Sequence, residues 1–140
     1  MTDVLLLDPR AWLFALLAGV TLFVLGALWF TPLFGAVWDR AVGVPRSEST
    51  FTPGYYVAPL VGSAAMAYVT AVLVGAVGAR TVTDALVVGL LVGAGVGVPV
   101  SVTNAFSPRT ARPLVYGVVT GGFHLVSAVV ASAIAVTGGG

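Results

Sequence analysis

Four long apolar runs constrain the fold of this chain more than any other feature. They cover residues 12–30, 56–77, 85–102 and 114–136. At about 1.5 Å per residue, each run would form a helix roughly 27–35 Å long, which matches the ~30 Å hydrocarbon core of a bilayer. Segments of this length and polarity are typical of transmembrane helices.

The composition favours the same fold class. Hydrophobic residues make up 59% of the 140 residues and charged residues 8%, whereas a soluble domain carries about 25% charged residues. Six basic and five acidic side chains are enough for short loops but not for a water-facing surface. The absence of cysteine excludes disulfides and thiolate chemistry, and a net charge of +1 predicts no nucleic-acid partner.

Valine and glycine are frequent in the runs, and in water they would favour buried strands. A membrane barrel, however, needs segments of about ten residues that alternate apolar and polar side chains, and these runs do not alternate. In lipid, a uniform run becomes a helix because every backbone amide must be satisfied within its segment. We therefore expect an all-α, integral membrane four-helix bundle, Gly-rich and tightly packed, as one domain over residues 1–140. The first run exceeds a signal-peptide core and lacks small cleavage-site residues, so it is expected to be retained.

The connections predict the topology. Residues 31–55 form a long connection, whereas 78–84 and 104–113 are short, so the second and third helices, and the third and fourth, should be antiparallel neighbours. Thr83 is expected to cap the third helix. Four arginines lie in the first and third connections and two on the opposite side: Arg40, Arg46, Arg109 and Arg112 against Arg10 and Arg80. This bias predicts cytoplasmic first and third connections, with both termini outside.

Small residues recur at every fourth position of the third run, where Gly89, Gly93, Gly97 and Ser101 share one face. The second run has Ser63, Ala67, Ala71 and Gly75 at the same spacing. Helices in lipid associate where small residues let backbones approach, so each set predicts a packing ridge. The ridge serves either the bundle itself or a contact between subunits of a homo-oligomer. Pro99 predicts a kink in the third helix.

Aromatic residues follow the first run. The set is Trp29, Pro32, Phe34, Gly35 and Trp38. Amphipathic rings prefer the headgroup level of a bilayer. We therefore expect an interfacial anchor and a short helix lying along the interface after the first span. A site that stacks on a ligand is the alternative.

His124 is the only histidine and the only readily ionised residue deep inside a run. It lies ten residues after Leu114, about 15 Å along a helix and near the bilayer midplane. Thr120 and Ser127 share its face on the same helix, and matching by depth adds the hydroxyl of Thr21 and that of Ser63 or Thr70. This cluster is either a path for protons or small solutes, or a set of hydrogen bonds that hold the helices together at about 0.6–2 kcal/mol each. The lack of an acidic partner favours the second interpretation.

A smaller polar group lies at the end of the third run. Asn104 stands there, with Arg109 and Arg112 just beyond it. These residues could form a cytoplasmic mouth that attracts anions. A helix cap followed by positive-inside charges is the more ordinary interpretation.

Three stretches together resemble a known family. They are Trp29-Phe30-Thr31-Pro32 with Phe34-Gly35 and Trp38, Asn104-Ala105-Phe106 with Arg109, and Gly122-Phe123-His124-Leu125-Val126. Their order and spacing are similar to those of small four-span bacterial and archaeal membrane proteins catalogued as domain of unknown function 1761. This chain has Phe123 where that family more often has tyrosine. The resemblance implies a multi-pass protein of a cytoplasmic-type membrane and transfers no activity or ligand.

Two function hypotheses remain. The first is a structural or accessory protein of the lipid bilayer that assembles as a homo-oligomer. The alternative is a small channel or transporter with a polar path around His124. No enzyme, metal or cofactor is expected, because the runs hold no paired carboxylates, no nucleophile–base pair and no second metal ligand.

Overall fold

The computed structural model describes residues 9–138, except for the side chains of residues 10 and 11. The side chain of Arg10, one of the two arginines on the side predicted to face outside, therefore lies outside the described part. The α-helices are α1 (Pro9–Leu28), α2 (Gly35–Val42), α3 (Pro53–Ala76), α4 (Val82–Val92), α5 (Val98–Ala105) and α6 (Pro113–Gly138). Two π-helical segments, Trp29–Leu33 and Gly93–Gly97, and a 3-10 turn at Arg46–Glu48 complete the helical structure of this region.

Four continuous helical spans are long and apolar enough to cross a membrane. They are Trp12–Leu33, Pro53–Ala76, Val82–Ala105 and Pro113–Gly138. The expected all-α, four-helix bundle is confirmed. The outer surface is apolar: Leu91, Leu114 and Val118 are 69%, 72% and 75% exposed. Such a large exposed apolar surface fits a membrane protein, since it is compatible with lipid and not with water.

The fourth span lies in the middle of the bundle. It packs against each of the other three spans, and the first span also packs against the second. The second and third spans follow each other across a short turn, but they have few contacts with each other, so as packing neighbours they differ from the expectation. The third span turns its small residues towards the fourth span, and a short turn does not by itself make its two helices pack.

The ridge of small residues on the third span faces the fourth span. A Cβ atom added at Gly89 would lie 2.6 Å from Val129 Cα, and one at Gly93 would lie 2.8 Å from Leu125 Cα. One added at Gly97 would lie 2.8 Å from His124 Cβ. The backbones of the two spans therefore touch along this ridge, which serves packing inside the chain.

A wide turn keeps the ridge on one face. Four residues turn an α-helix by slightly more than one circle, so a stripe with period four drifts by about 40° per step. The π segment Gly93–Gly97 holds more residues in its turn than an α-helix does and offsets this drift. Pro99, which follows within the first turn of α5, lacks the N–H that a regular helix would use. The kink expected at Pro99 stays a prediction.

The buried face of the second span differs from the expected stripe. Ala67, Thr70 and Val74 are buried, whereas Gly75 is exposed. The buried positions follow the alternation of three- and four-residue steps that a straight helix requires. A strict four-residue stripe drifts off the contact in a span without a wide turn.

The third span begins earlier than expected, at Val82, because Thr81 and not Thr83 caps it. Thr81 Oγ1 accepts a hydrogen bond from the Asp84 backbone N–H at 3.1 Å. The Asp84 carboxylate accepts one from the Thr81 N–H at 3.0 Å. This reciprocal capping box satisfies two of the free N–H groups at the helix start.

Candidate functional site

A cavity of about 680 Å³ lies between the first, second and fourth spans, at the end of the bundle where the first connection leaves. It exists because the second span diverges from the bundle. Its N-terminal half, residues 53–66, has no buried residue, whereas Ala67, Thr70 and Val74 are all buried in its C-terminal half. Phe23, Phe30, Tyr55, Tyr56 and Phe123 contribute aromatic rings to the lining.

The cavity has a floor. Leu22 lines it and is fully buried. The same leucine belongs to the hydrophobic core formed with Ala18, Ala67 and Ala131. The cavity therefore ends where the close-packed part of the bundle begins.

The imidazole of His124 stands in the cavity wall. Its Nδ1 atom lies 2.8 Å from the Thr120 carbonyl oxygen and 3.0 Å from Ser101 Oγ. A carbonyl can only accept a hydrogen bond, so Nδ1 carries the proton and donates it. Ser101 already donates its own hydrogen to the Gly97 carbonyl at 2.8 Å, so it too accepts from Nδ1. These bonds fix the orientation of the ring between two spans.

The expected polar cluster is only partly assembled. Ser127 and Ser63 line the cavity with His124. Thr120 contributes its carbonyl to His124, while its hydroxyl donates to the Tyr116 carbonyl at 2.7 Å.

The two other expected members of the cluster lie elsewhere. Thr21 is exposed and donates to the Leu17 carbonyl of its own helix at 2.8 Å. Thr70 is 1% exposed and is not among the residues that line the cavity. Matching residues by depth does not determine the rotation of each helix about its own axis. This explains why Thr21 and Thr70 were both placed wrongly.

Ser101 is the residue that the sequence argument assigned to packing alone. It lies one step beyond Gly97 on the ridge, and Gly97 faces the Cβ atom of His124. The four-residue spacing could therefore have predicted the contact, if the histidine had been placed opposite the ridge. Ser101 acts both as a small packing residue and as a hydrogen-bond partner.

The aromatic residues after the first span form a network inside the protein. Ring contacts connect Trp38 to Phe30 at 5.6 Å, Phe30 to Phe123 at 5.1 Å and Phe123 to His124 at 5.3 Å. Trp29 donates its indole N–H to the Val119 carbonyl at 3.0 Å, which joins the first span to the fourth. The short helix expected after the first span is present as α2.

The other residues of the proposed anchor lie around the end of the first span. Phe34 packs against Trp29 with ring centroids 4.6 Å apart. Pro32 lies inside the π segment, and a Cβ atom at Gly35 would lie 3.0 Å from the Phe30 carbonyl oxygen. The proposed position of this group at a membrane interface stays a prediction.

Arg46 closes the end of the first span. Its Nη2 atom donates to the Phe30 carbonyl at 2.6 Å and lies 3.5 Å from Asp39 Oδ1. Carbonyls at a helix end lack intrahelical donors, and a guanidinium can supply one. Because Phe30 lines the cavity, this contact also holds part of the cavity wall.

The residues of the proposed mouth, Asn104, Arg109 and Arg112, are exposed, and their role stays a prediction. Within residues 9–138 the ion pair of Asp39 is made with Arg46. The backbone N–H of Arg112 donates to the Ala41 carbonyl at 3.0 Å. This bond joins the third connection to α2, so both connections lie at the same end of the bundle. In the described part of the chain, no group of three or more His, Cys, Asp or Glu residues could hold a metal ion.

The chain was compared with known protein families, curated proteins and solved structures. A family model described as "Protein of unknown function (DUF1761)" matches residues 13–136. No curated protein and no solved structure matches the chain.

Proposed function

The chain belongs to the DUF1761 family, and we propose that it is a non-catalytic accessory membrane protein that binds a small, largely apolar molecule beside His124. The observation that carries this proposal is the cavity of about 680 Å³. Small-molecule sites usually measure about 300–1,000 Å³, with apolar walls and a few polar groups. Phe23, Phe30 and Phe123 supply such walls, and His124 and Ser127 supply polar groups.

The floor of the cavity favours binding over conduction. A pore needs a continuous lining that carries the solute through the bundle. Here Leu22 and the core around Ala67 and Ala131 stand below the cavity. The lining also contains no carboxylate, so His124 has no acidic partner there for proton transfer, which supports a non-catalytic role.

Met66 offers a direct reporter of binding, because its side chain lines the cavity. We would label methionine methyl groups with 13C, assign the Met66 signal with Met66→Leu, and titrate the protein in nanodiscs with 4-tert-butylphenol. The proposal predicts a saturable shift of the Met66 signal.

Two glycine variants make the test specific. No neighbouring atom lies within 4 Å of the Cβ position at Gly62 or at Gly95, but only Gly62 lines the cavity. Gly62→Phe should place a ring in the cavity and weaken the saturable binding, whereas Gly95→Phe should leave it unchanged. A shift that grows linearly with probe concentration, or an affinity that Gly62→Phe leaves unchanged, would contradict the proposal.

The proposal includes assembly with further copies of the chain in a cytoplasmic-type bacterial or archaeal membrane. In support, the third span packs almost only against the fourth, and Leu91, Ala94 and Gly95 on its other side are exposed. Single-molecule photobleaching in bilayers should count more than one labelled chain per spot. A strictly monomeric count would remove this part and leave the binding site standing.

Transport past His124 is the second candidate, because the cavity does reach this residue. If a path exists, His124→Leu should abolish solute flux into proteoliposomes. Equal flux through the wild-type protein and His124→Leu would reject the transport hypothesis.

A further inference from the structure

Ser127 points to the kind of ligand the cavity would take. Its side chain is fully buried and lines the cavity, and its Oγ atom has no hydrogen-bond partner in the described part of the chain. Buried hydroxyl groups nearly always have a partner. A polar atom of a bound molecule would supply the missing one.

His124 presents a second free polar atom. Thr120 and Ser101 both accept from its Nδ1–H, and a neutral imidazole has one donor nitrogen and one acceptor nitrogen. In the neutral ring, Nε2 is therefore the acceptor. None of the described side chains is bonded to it, and the ring lines the cavity. A ligand that donates a hydrogen bond would supply the missing partner.

The remaining lining selects an aromatic ligand. Phe30 and Phe123 meet edge to face at 5.1 Å, and both line the cavity with Phe23. Aromatic rings prefer edge-to-face or offset contacts with one another, so a further ring is well accommodated there. The cavity wall contains no arginine, lysine or carboxylate. A charged group of a ligand would therefore have no oppositely charged partner there, and burying it would be costly.

Resting on the proposed function, we propose that the cavity binds an uncharged phenol. Its hydroxyl donates to Nε2 of His124 and accepts from the Ser127 hydroxyl, and its ring packs against Phe30 and Phe123. A free phenol and the hydroquinone headgroup of a lipid share this chemistry. An ether or a quinone, which cannot donate, leaves Nε2 without a partner and binds more weakly.

The single histidine of the sequence makes the test direct. We would label histidine with 15N and compare 4-tert-butylphenol with 4-tert-butylanisole, its methyl ether of nearly the same shape. The ligand-free spectrum should show a proton on Nδ1. The phenol should shift the Nε2 signal and bind about tenfold more tightly than the ether, a factor typical of one hydrogen bond. Affinity is measured on the Met66 methyl signal.

Two variants separate the roles. His124→Leu should bind both probes with equal affinity. Thr21→Val removes a hydroxyl outside the cavity lining and should keep the preference for the phenol. If His124→Leu does not fold, Ser127→Ala is the second variant. Both probes accept from the Ser127 hydroxyl, so this variant should weaken the binding of both and keep the preference for the phenol together with the Nδ1-protonated spectrum.

The outcomes distinguish this inference from the function on which it rests. Equal affinity of the wild-type protein for both probes, or a ring protonated at Nε2, would overturn the phenol assignment and leave the binding cavity intact. Failure of both probes to saturate the Met66 signal would overturn the assignment and the proposed function together. To distinguish the two sources of the ligand, the affinity of a hydroquinone headgroup attached to an isoprenoid chain is compared with that of the free phenol. Tighter binding of the chain-bearing headgroup indicates a lipid, and tighter binding of the free phenol indicates a soluble molecule.

Discussion

The glycines of the third span differ sharply in their surroundings. A Cβ atom at Gly89 would lie 2.6 Å from Val129 Cα and 2.9 Å from the Ala128 carbonyl oxygen. At Gly95, no neighbouring atom lies within 4 Å of that position. Both glycines have negative φ angles, so space and not backbone conformation distinguishes them. In lipid, such close backbone approach is a main source of helix association.

We therefore expect Gly89→Ala to reduce the free energy of unfolding by about 1–3 kcal/mol, because the new methyl group must push the third and fourth spans apart. Unfolding in mixed micelles with increasing SDS measures the change. Gly95→Ala is the matched control and should leave stability unchanged or slightly raised. Equal losses in both variants would mean that the ridge is not the main contact.

Two tryptophans close to each other in sequence have opposite hydrogen-bonding states. Trp29 donates its indole N–H to Val119 on the fourth span at 3.0 Å. The Trp38 indole N–H is buried and has no partner among the described residues. A buried donor without a partner is destabilising by about 1–3 kcal/mol.

Replacing each with phenylalanine removes the same number of atoms, so the difference between the variants isolates the hydrogen bond. Trp29→Phe should lower the free energy of unfolding by at least about 1 kcal/mol more than Trp38→Phe. The same SDS titration measures both. If Trp38→Phe were the more destabilising change, its ring contacts with Phe30 and Tyr116 would outweigh the polar effect.

Among the elements, the two π segments have related causes. Trp29–Leu33 contains Pro32, and Gly93–Gly97 is followed closely by Pro99. Proline removes one backbone donor and crowds the preceding turn, and a wide turn accommodates both effects. In the third span the wide turn also keeps Ser101 on the face of Gly89, as the fold requires.

A π segment is an α-helix with one extra residue in a turn. Deleting Gly95 together with Pro99→Ala should therefore give a regular helix that still presents Gly89 and Ser101 to the fourth span. We expect the double variant to stay folded and to keep the 15N signals of His124, which report its bond to Ser101.

Deleting Val118 is the control, since it too is exposed but lies in the regular helix α6. This deletion rotates one half of the fourth span by about 100° relative to the other. It should lower the free energy of unfolding by at least about 2 kcal/mol more than the Gly95 deletion does. Equal damage would show that the wide turn has no spare residue.

For the whole molecule, the bundle places the first and third connections at one end. The bond from the Arg112 N–H to the Ala41 carbonyl at 3.0 Å joins them, and the turn around Ala79 connects the second and third spans at their other ends. The arginine bias predicts that the end with both connections faces the cytoplasm.

Because the sequence contains no cysteine, single cysteines can be introduced without background. In sealed cells, Ser47→Cys and Thr110→Cys should be protected from a membrane-impermeant maleimide, whereas Ala79→Cys should be labelled. After permeabilisation all three should react. Labelling of Ser47→Cys and Thr110→Cys with protection of Ala79→Cys would invert the proposed orientation and leave the fold unchanged.

The sequence by itself determined the class and the number of helices. Long apolar runs leave a chain in lipid no other way to satisfy its amides, and the four-residue spacing from Gly89 to Ser101 identified the packing ridge. The family resemblance, resting on stretches such as Gly122-Phe123-His124-Leu125-Val126, is confirmed by the match over residues 13–136.

Only the tertiary structure decided which faces meet. Apolar periodicity is weak in a span that is hydrophobic all round, so the sequence could not show that the second span packs on the first and fourth and diverges at its start. That divergence creates the cavity. It also places Ser127 and Ser63 beside it, leaves Thr21 outside, and directs Nδ1 of His124 to Ser101. Such contacts depend on the rotation of each helix about its own axis, which residue spacing along a single helix does not specify.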